Sequence, residues 1–362
     1  MCPTTADHIE AKTDSRGPHA VRLRRKIRFV LLYALFIVVL LEVAARLYWT
    51  IGYGVSFLTP DLFYAFYPEI KRIESAPRDT DNSAFDVLLL GGSVLQRDWS
   101  NIPILLGQEL KGRTKHKVRI YNPSRQGHTS RDSWLKYQRL QGRRFDLILF
   151  YHGINEARAN NCPPDMFRDD YNHYAWYARF NDLMRHRESR YVVLPYTSVY
   201  LATTIAEHLG LVRRVPEDIP NDEWTRFGAQ VKTVEPFRHN LTRILELARH
   251  KDEPVILMTF ATDIRPDETI EQFAQRPPNF TGTALWIGVW GEARHVAAAV
   301  QAHNGVIKQL AEQYGTFLVD QDSLIPKRRQ YFNDPCHLTK AGSERFVANV
   351  LDVAVKVMRR RL

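Results

Sequence analysis

The sequence has little cysteine and no repeated or low-complexity segment. Three of its 362 residues are cysteine, and only two of them follow the apolar run described below, so that part of the chain can form at most one disulfide bridge. No self-similarity at a fixed spacing predicts a solenoid or an array. Aromatic residues make up 11% and charged residues 25%. These ordinary values predict a globular protein with one large domain or two modest ones.

The chain also lacks an excess of basic residues between its two ends. The formal net charge is +10, but residues 1–28 hold seven Lys or Arg against three acidic residues. Four more basic residues stand in the last seven positions. The rest of the chain is close to neutral and offers no basic face for phosphates. We therefore exclude nucleic acid as a partner.

A long apolar run, FVLLYALFIVVLL, covers residues 29–41. With its flanks it reaches about 20 residues, the length at which a helix crosses a bilayer. Glu42 interrupts the run, but Arg46 follows four residues later and can pair with it near the membrane interface. Five basic residues stand between Arg22 and Arg28, immediately before the run. The positive-inside rule therefore predicts a single-pass membrane protein with a cytoplasmic N-terminus. Everything after residue 50 is then extracytoplasmic, in the periplasm or at the cell surface.

Two other interpretations of this run remain open. Val43 and Ala45 loosely fit the cleavage site of a secretory signal peptide, although Glu42 and Arg46 crowd that site. A buried core helix is the other, but it does not explain why the basic residues stand at one end only. We favour an uncleaved signal anchor that contacts the lipid bilayer. The chain then divides into a cytoplasmic tail (1–26), the anchor (27–49), a linker (50–83) and a folded domain (84–362).

Five short apolar runs in the folded domain predict buried β-strands, since continuous apolar runs are typical of strands covered on both faces. Helical stretches lie between them. Alternation of strand and helix predicts an α/β fold, a three-layer α/β/α sandwich around a parallel sheet. The predicted strands lie at 86–90, 118–121, 146–151, 254–260 and 316–320, and the predicted helices at about 99–111, 131–141, 235–250, 295–314 and 340–360.

About 100 residues separate the third and fourth predicted strands, far more than one crossover needs. We interpret 157–235 as an insertion packed over one edge of the sheet near the ligand side. Its first part is rich in aromatic residues, namely Tyr171, Tyr174, Trp176, Tyr177 and Phe180. Its second part, from Tyr191 to Leu211, is apolar enough to predict a pair of helices.

Two cysteines, Cys162 and Cys336, follow the anchor. In an oxidising compartment they can form a disulfide. Both stand on loops expected at the carboxyl end of the sheet, so we predict a bridge beside the site described next. Two separate buried thiols are the alternative.

Reactive side chains follow several of the predicted strands, where open α/β sheets bind their ligands. The first strand ends in Gly91-Gly92-Ser93, a pattern that allows a tight turn and exposes the Ser93 hydroxyl at a helix N-terminus. Gly127 follows the second strand, and a glycine there lets a ligand approach the backbone closely. Each feature alone has an ordinary explanation, since Gly-Gly-Ser is a common turn and Gly127 can be a simple loop glycine.

The remaining two features complete a catalytic set. Asn155 follows the third strand, where its amide can donate to an oxyanion or simply cap a helix. Asp334 and His337 follow the fifth strand and can form an oriented base or a loop salt bridge. Together these residues supply a nucleophile, oxyanion donors and an acid–base pair in the order Ser, Asp, His of other α/β hydrolases.

These blocks resemble those of the SGNH/GDSL hydrolase family. Ser93 matches the nucleophile block, Gly127 and Asn155 the glycine and asparagine blocks, and Asp334 and His337 the Asp-x-x-His block. The match spans roughly residues 84–156 and 254–358. It implies a flavodoxin-like parallel sheet of five strands, a Ser93 nucleophile with His337 as base, and an oxyanion hole formed by the backbone N–H groups of Ser93 and Gly127 and the Asn155 amide. One departure is Gly92, which replaces the Asp of Gly-Asp-Ser.

The sequence therefore predicts an exported ester hydrolase that forms an acyl-serine intermediate. Its substrate would be an ester-bearing small molecule or an O-acylated glycan. We expect no cofactor and no metal ion, since the remaining histidines do not cluster as ligands and no phosphate-binding glycine loop is present. An O-acyltransferase with the same triad and a catalytically silent envelope binding protein are the alternatives.

Overall fold

The computed structural model describes residues 18–77, 84–215, 222–264 and 290–361. These residues form five strands and twelve α-helices. The strands are β1 (Ala84–Gly91), β2 (Lys117–Tyr121), β3 (Leu147–Tyr151), β4 (Val255–Met258) and β5 (Phe317–Val319). The helices are α1 (Pro18–Tyr53), α2 (Phe63–Phe66), α3 (Pro68–Ser75), α4 (Ile102–Lys111), α5 (Ser130–Arg139), α6 (Ile154–Ala159), α7 (Ala175–Arg185), α8 (Leu194–His208), α9 (Val234–His250), α10 (Ala293–Tyr314), α11 (Gln321–Leu324) and α12 (Lys340–Arg361).

The five strands form one sheet in the order β2-β1-β3-β4-β5, and every neighbouring pair is parallel. The carboxyl ends of all five therefore meet at one edge. Side chains along the central strands enter two different cores. On β1, Val87 and Leu89 pack with α4 and α12, whereas Leu88 and Leu90 pack with α5 and α9. The sheet is thus the middle of three layers, and the predicted fold class is confirmed.

Short-range signals set where several helices begin and end. Thr129 caps α5 in a capping box, in which its hydroxyl accepts from the backbone and Asp132 reaches back to the Thr129 N–H. Such a box satisfies two of the free donors at a helix start. Gly315 ends α10 in the left-handed conformation, with φ of 61°, which glycine adopts without steric cost. These caps fix where the chain leaves each helix.

The N-terminal helix α1 is exposed along its first half. Between Arg22 and Leu41 nearly every side chain is open to the surroundings, and α1 is long and apolar enough to cross a membrane. From Glu42 onward it packs against the insertion. The predicted Glu42–Arg46 ion pair is present, with Nε and Oε1 2.7 Å apart. The Glu42 carboxylate also accepts the N–H groups of Val193 and Leu194 at the start of α8, so it satisfies donors that this helix end leaves free.

The segment between α1 and β1 is more ordered than a linker. Its described part contains α2 and α3. Phe66 of α2, Ile70 and Ile73 of α3, and Tyr67 between the two helices are buried in the core shared with α5 and α9. Residues 63–75 therefore belong to the domain. The helices in this segment are too short for their apolar residues to show a helical period in the sequence.

The insertion contains fewer helices than predicted in its second part. Residues 191–211 contain the single helix α8 (Leu194–His208), preceded by a 3-10 turn at Arg187–Arg190, so the predicted helix pair is wrong. Pro195 lies in the first turn of α8, where its missing N–H costs nothing. In the first part, Tyr171 and Phe180 are fully buried. Tyr171 packs within the insertion, whereas Phe180 packs into the domain core against Phe66 of α2.

The predicted disulfide is also wrong, since both cysteines are buried free thiols. Cys162 packs in a small cluster with Tyr171 and Trp224, whereas Cys336 belongs to the main core beside α12. Both loops do leave the same edge of the sheet, but their apolar surroundings separate them. Burial raises the pKa of the Cys162 thiol to about 11.

Candidate active site

Ser93 lies directly after β1, in a single 3-10 turn that spans Ser93–Leu95. The two preceding glycines leave room that a side chain would fill. A Cβ atom on Gly92 would lie 2.8 Å from Asn155 Nδ2 and 3.2 Å from the His128 carbonyl oxygen. The chain therefore passes very close to the asparagine block at the point where the family pattern has an aspartate.

Three side chains form an unbroken hydrogen-bonded relay. Ser93 Oγ lies 2.7 Å from His337 Nε2, and His337 Nδ1 lies 2.6 Å from Asp334 Oδ2. The other carboxylate oxygen of Asp334 accepts the N–H groups of Cys336 and His337, at 2.9 and 2.8 Å. The loop thus holds the carboxylate by its own backbone, and the carboxylate in turn fixes the imidazole with Nδ1 protonated and Nε2 free to accept from the serine.

The electrostatics of the relay keep Asp334 ionised. Burial alone would raise the pKa of this carboxyl. The hydrogen bond and the charge of His337, together with the two backbone N–H groups, outweigh it and lower the pKa below its ordinary value. All three side chains are almost inaccessible, with Ser93 6% and His337 1% exposed. A carboxylate that stays charged in such surroundings can stabilise the positive charge that develops on the imidazole when it takes a proton.

The two residues predicted for an oxyanion hole lie beside the nucleophile. Asn155 is in the first turn of α6, where its Nδ2 donates to the His128 carbonyl at 2.8 Å and its Oδ1 accepts from Trp290 Nε1 at 3.3 Å. These bonds orient the amide and leave one of its two Nδ2 hydrogens available. Gly127 has a φ of +74°, in the region that favours glycine. Both residues line one cleft with Ser93 and His337.

A buried lysine holds the loop that carries Gly127. Lys136 on α5 is 1% exposed, and its Nζ donates to the Pro123 carbonyl at 2.5 Å and to His128 Nδ1 at 2.6 Å. It also pairs with Glu69 of α3, at 2.8 Å from Oε1. Burial, with the nearby lysine adding to it, lowers the pKa of His128 well below its ordinary value. His128 is therefore neutral, and Lys136 ties both ends of the 123–128 loop to one point.

Asp132 organises a second set of bonds behind the same loop. Its carboxylate accepts the Thr129 N–H at 2.8 Å and the hydroxyl groups of Tyr67 and Tyr177, at 2.8 and 2.5 Å. Burial opposes its ionisation, but the adjacent His128 ring, the Lys136 charge and these hydrogen bonds together lower its pKa to about 2. The result is a charged and satisfied network that rigidifies the wall of the cleft.

The cleft has a volume of about 410 Å³, a size suited to a small ligand. Aromatic rings dominate the described lining, with Trp99, Trp176 and Trp290 joined by Tyr174 and Tyr177. Three of these come from the aromatic part of the insertion, which the sequence analysis expected near the ligand side. Trp99, Trp290 and Lys136 could not be predicted as site residues from the sequence, because each reaches the site through long-range packing that leaves no local pattern. Arg158 also lines the cleft.

Three ligand-type side chains in the Asp334 loop lie close together. One atom each of Asp334, Cys336 and His337 fall within 4.8 Å of one another. The Asp334 and His337 atoms already bond to each other, however. Burial, with the Asp334 charge, also raises the pKa of the Cys336 thiol well above its ordinary value. A protonated thiol is a poor ligand, so this arrangement suits a proton relay better than a metal ion.

Comparison with known proteins gives similar solved structures at low sequence identity. No protein-family model and no curated protein matches the chain. A GDSL-like lipase from Bacteroides thetaiotaomicron is 13% identical, with 80% of this chain and 98% of that one covered and a TM-score of 0.44. A lipase/acylhydrolase from Enterococcus faecalis is 14% identical, with 74% and 94% covered and a TM-score of 0.39. An acetylxylan esterase from Geobacillus stearothermophilus is 12% identical, with 75% and 94% covered and a TM-score of 0.40.

Proposed function

We propose that this chain is a membrane-anchored serine ester hydrolase of the SGNH/GDSL type. The observation that carries the proposal is the relay from Ser93 through His337 to Asp334, with both hydrogen bonds at 2.7 Å or less. The alternative interpretation, a loop salt bridge, would need only the contact between Asp334 and His337. The serine hydroxyl at the end of the relay, in a cleft with two oxyanion donors, is what acyl transfer requires.

In the first half of the reaction, Ser93 Oγ attacks the ester carbonyl carbon while His337 Nε2 takes the hydroxyl proton. The carbonyl oxygen becomes an oxyanion, which the N–H groups of Ser93 and Gly127 and the Asn155 amide stabilise. Asp334 stabilises the imidazolium and does not take its proton. His337 then gives the proton to the alcohol oxygen, the ester C–O bond breaks, and the acyl group stays on Ser93.

In the second half, a water molecule replaces the alcohol. The water oxygen attacks the acyl carbon while His337 Nε2 takes a proton from the water, and the same donors stabilise the oxyanion. His337 then returns the proton to Ser93 Oγ, the bond between Oγ and the acyl carbon breaks, and the acid leaves. A sugar hydroxyl in place of water would give acyl transfer. Both reactions share the acyl-enzyme, so product analysis has to measure the free acid and any acylated acceptor separately.

The substrate we propose is an O-acylated glycan. Aromatic rings bind the apolar faces of sugars, and Trp176 lines the cleft together with the largely buried rings of Tyr174 and Tyr177. A surface of this kind fits a flat, amphipathic ring better than a long acyl chain.

For topology, we propose that α1 is an uncleaved anchor with residues 1–26 in the cytoplasm. Support comes from the basic cluster before the apolar run and from the docking of α1 on α8. Trp49 Nε1 donates to Thr197 Oγ1 at 2.8 Å, and Trp49 is 1% exposed. Cleavage after Ala45 would keep Trp49 but remove Glu42, whose carboxylate accepts the N–H groups of Val193 and Leu194 at the start of α8. A reporter that is active only in the cytoplasm, fused to the C-terminus, should give no signal, and a strong signal would invert the topology.

The hydrolase proposal is tested by the Ser93→Ala variant with a chromogenic acetate ester. Loss of a triad residue costs several orders of magnitude in kcat, so the variant should be inactive while it unfolds at the same temperature as the parent. Ser198→Ala, on the exposed side of α8, is the control and should keep full activity. Equal rates for Ser93→Ala and the parent would refute the proposal.

A further inference from the structure

Arg158 is a cation in the cleft that the proposed reaction does not use. It stands three residues after Asn155 on α6, and residues at this spacing lie on the same side of a helix. Both side chains line the cleft with Ser93 and His337. Arg158 is therefore about one helical turn from the expected oxyanion position.

The guanidinium of Arg158 has no internal partner among the described residues. No carboxylate there forms an ion pair with it, and its Nη2 is buried without a hydrogen bond. Two other partly buried arginines of the domain, in contrast, are neutralised: Arg119 pairs with Asp86 at 2.5 Å and Arg139 with Asp61 at 2.7 Å. An arginine without such a partner costs stability unless a ligand satisfies it.

The described lining of the cleft is positively charged, as Arg158 is. Its described lining contains two arginines and no carboxylate side chain. The second arginine, Arg125, has only a loose pair with Glu69 at 3.6 Å. His128 is neutral, as described above. The wall around the nucleophile thus attracts an anion, and a cleft surrounded by low-dielectric walls strengthens that attraction.

We propose that Arg158 binds a carboxylate of the substrate, and that the natural ester is therefore an O-acylated acidic sugar of the uronic-acid type. The planar guanidinium matches a carboxylate with two parallel hydrogen bonds. The neighbouring aromatic rings would hold the sugar ring while Arg158 fixes its orientation, so that one acylated hydroxyl meets Ser93. This assignment rests on the ester hydrolase proposed above, and it adds the charge of the substrate.

The kinetic test compares two acetyl esters that differ in one group, an acetylated methyl glucuronoside and the acetylated methyl glucoside with the same acetyl position. The parent should prefer the acidic ester in kcat/KM, and Arg158→Gln should reduce that preference roughly tenfold to hundredfold, as expected for one charge-assisted pair. Arg158→Lys keeps the positive charge but lacks the planar guanidinium, so its preference for the acidic ester should lie between those of the parent and Arg158→Gln. Arg97→Gln, an exposed arginine outside the cleft lining, is the control and should keep the preference.

A binding arm separates this proposal from the hydrolase itself. Unacylated glucuronate oligosaccharide and its neutral counterpart are titrated calorimetrically into the parent and Arg158→Gln. Tighter binding of the acidic sugar to the parent, lost in the variant, supports the carboxylate site even if neither ester is cleaved. A sulfated sugar that binds better than the uronate would overturn the carboxylate assignment. A parent that binds or cleaves acidic and neutral sugars equally, or an Arg158→Gln variant with the parent's preference, would overturn the proposal.

Discussion

The indole ring of Trp99 stacks on the imidazole of His337, with the ring centroids 4.3 Å apart and the planes inclined by 23°. Trp99 thus covers one face of the base while Asp334 and Ser93 hold its two nitrogens. When the imidazolium forms, the negative face of the indole can stabilise it, an effect of about 1 kcal/mol in partly exposed sites.

The first prediction concerns this stack. Trp99→Leu should lower kcat about fivefold, the rate equivalent of that energy, because the imidazolium loses its aromatic neighbour. Trp99→Phe keeps a ring and should lose much less. Both variants are compared by kcat and KM on the chromogenic ester. If Leu and Phe at this position give the same kcat, the stack does not assist the base.

The second prediction concerns the glycine that departs from the family pattern. An added Cβ at Gly92 would lie 2.8 Å from Asn155 Nδ2. Gly92→Ala, and Gly92→Asp, which introduces the aspartate of the Gly-Asp-Ser pattern, should therefore displace the amide and lower kcat roughly tenfold to hundredfold with little change in KM. Gly142→Ala, where a Cβ meets nothing within 4 Å, is the control. Higher activity in Gly92→Asp would show that the Asn155 amide is not positioned against residue 92 as described.

The third prediction concerns the buried lysine. Lys136→Met removes the cation from Glu69 and leaves the Pro123 carbonyl unpaired, so the free energy of unfolding should fall by about 3 kcal/mol. The double variant Lys136→Met/Glu69→Gln removes the stranded charge and should recover part of this loss. Urea unfolding of the parent, the two single variants Lys136→Met and Glu69→Gln, and the double variant measures both effects. A double variant as unstable as the sum of its single variants would mean that Lys136 and Glu69 act independently.

The fourth prediction concerns pH. Burial raises the pKa of Glu156 from 4.5 to about 7, although the Ser130 N–H donates to it at 2.5 Å. The folded protein thus prefers the protonated carboxyl, and as the pH rises from 4.5 to 7 the unfolded chain gives up this proton first. The free energy of unfolding should therefore fall across that window, by on the order of 3 kcal/mol.

Glu156→Gln, which stays neutral, should flatten this pH dependence. Urea unfolding at pH 5 and pH 8 should show a much smaller difference in the variant than in the parent. Glu235→Gln, on the exposed side of α9, should behave like the parent. A Glu156→Gln variant with the parent's full pH dependence would assign that dependence to other groups.

The sheet and the predicted site residues could be found in the sequence because both depend on local patterns. Five apolar runs match the five strands within a few residues, and parallel strands bring their carboxyl ends to one edge. Once Ser93, Asn155 and His337 were each assigned to a strand end, their proximity followed from topology. The charge pair of Glu42 and Arg46 was likewise a matter of helical spacing.

Other features depend on packing that no local pattern encodes. Trp99 and Trp290 are ordinary aromatic residues in the sequence, and only the tertiary fold brings them to His337. The disulfide prediction was wrong because it used only the expected compartment and the positions of the two loops. Whether two cysteines come within bonding distance depends on side-chain packing, which the sequence does not show. The buried helices at 63–75 were mistaken for a linker because they are too short to show a clear period.

Covalent labelling of the serine gives the most direct test of the central claim, that Ser93 is a nucleophile activated by His337 and Asp334. Purified protein is treated with a fluorophosphonate, which reacts with activated serines, and its peptides are analysed by mass spectrometry. We predict one adduct, on the peptide that contains Ser93, and its loss in both Ser93→Ala and His337→Ala. An unmodified Ser93 peptide, or equal labelling of the His337→Ala variant, would contradict the account.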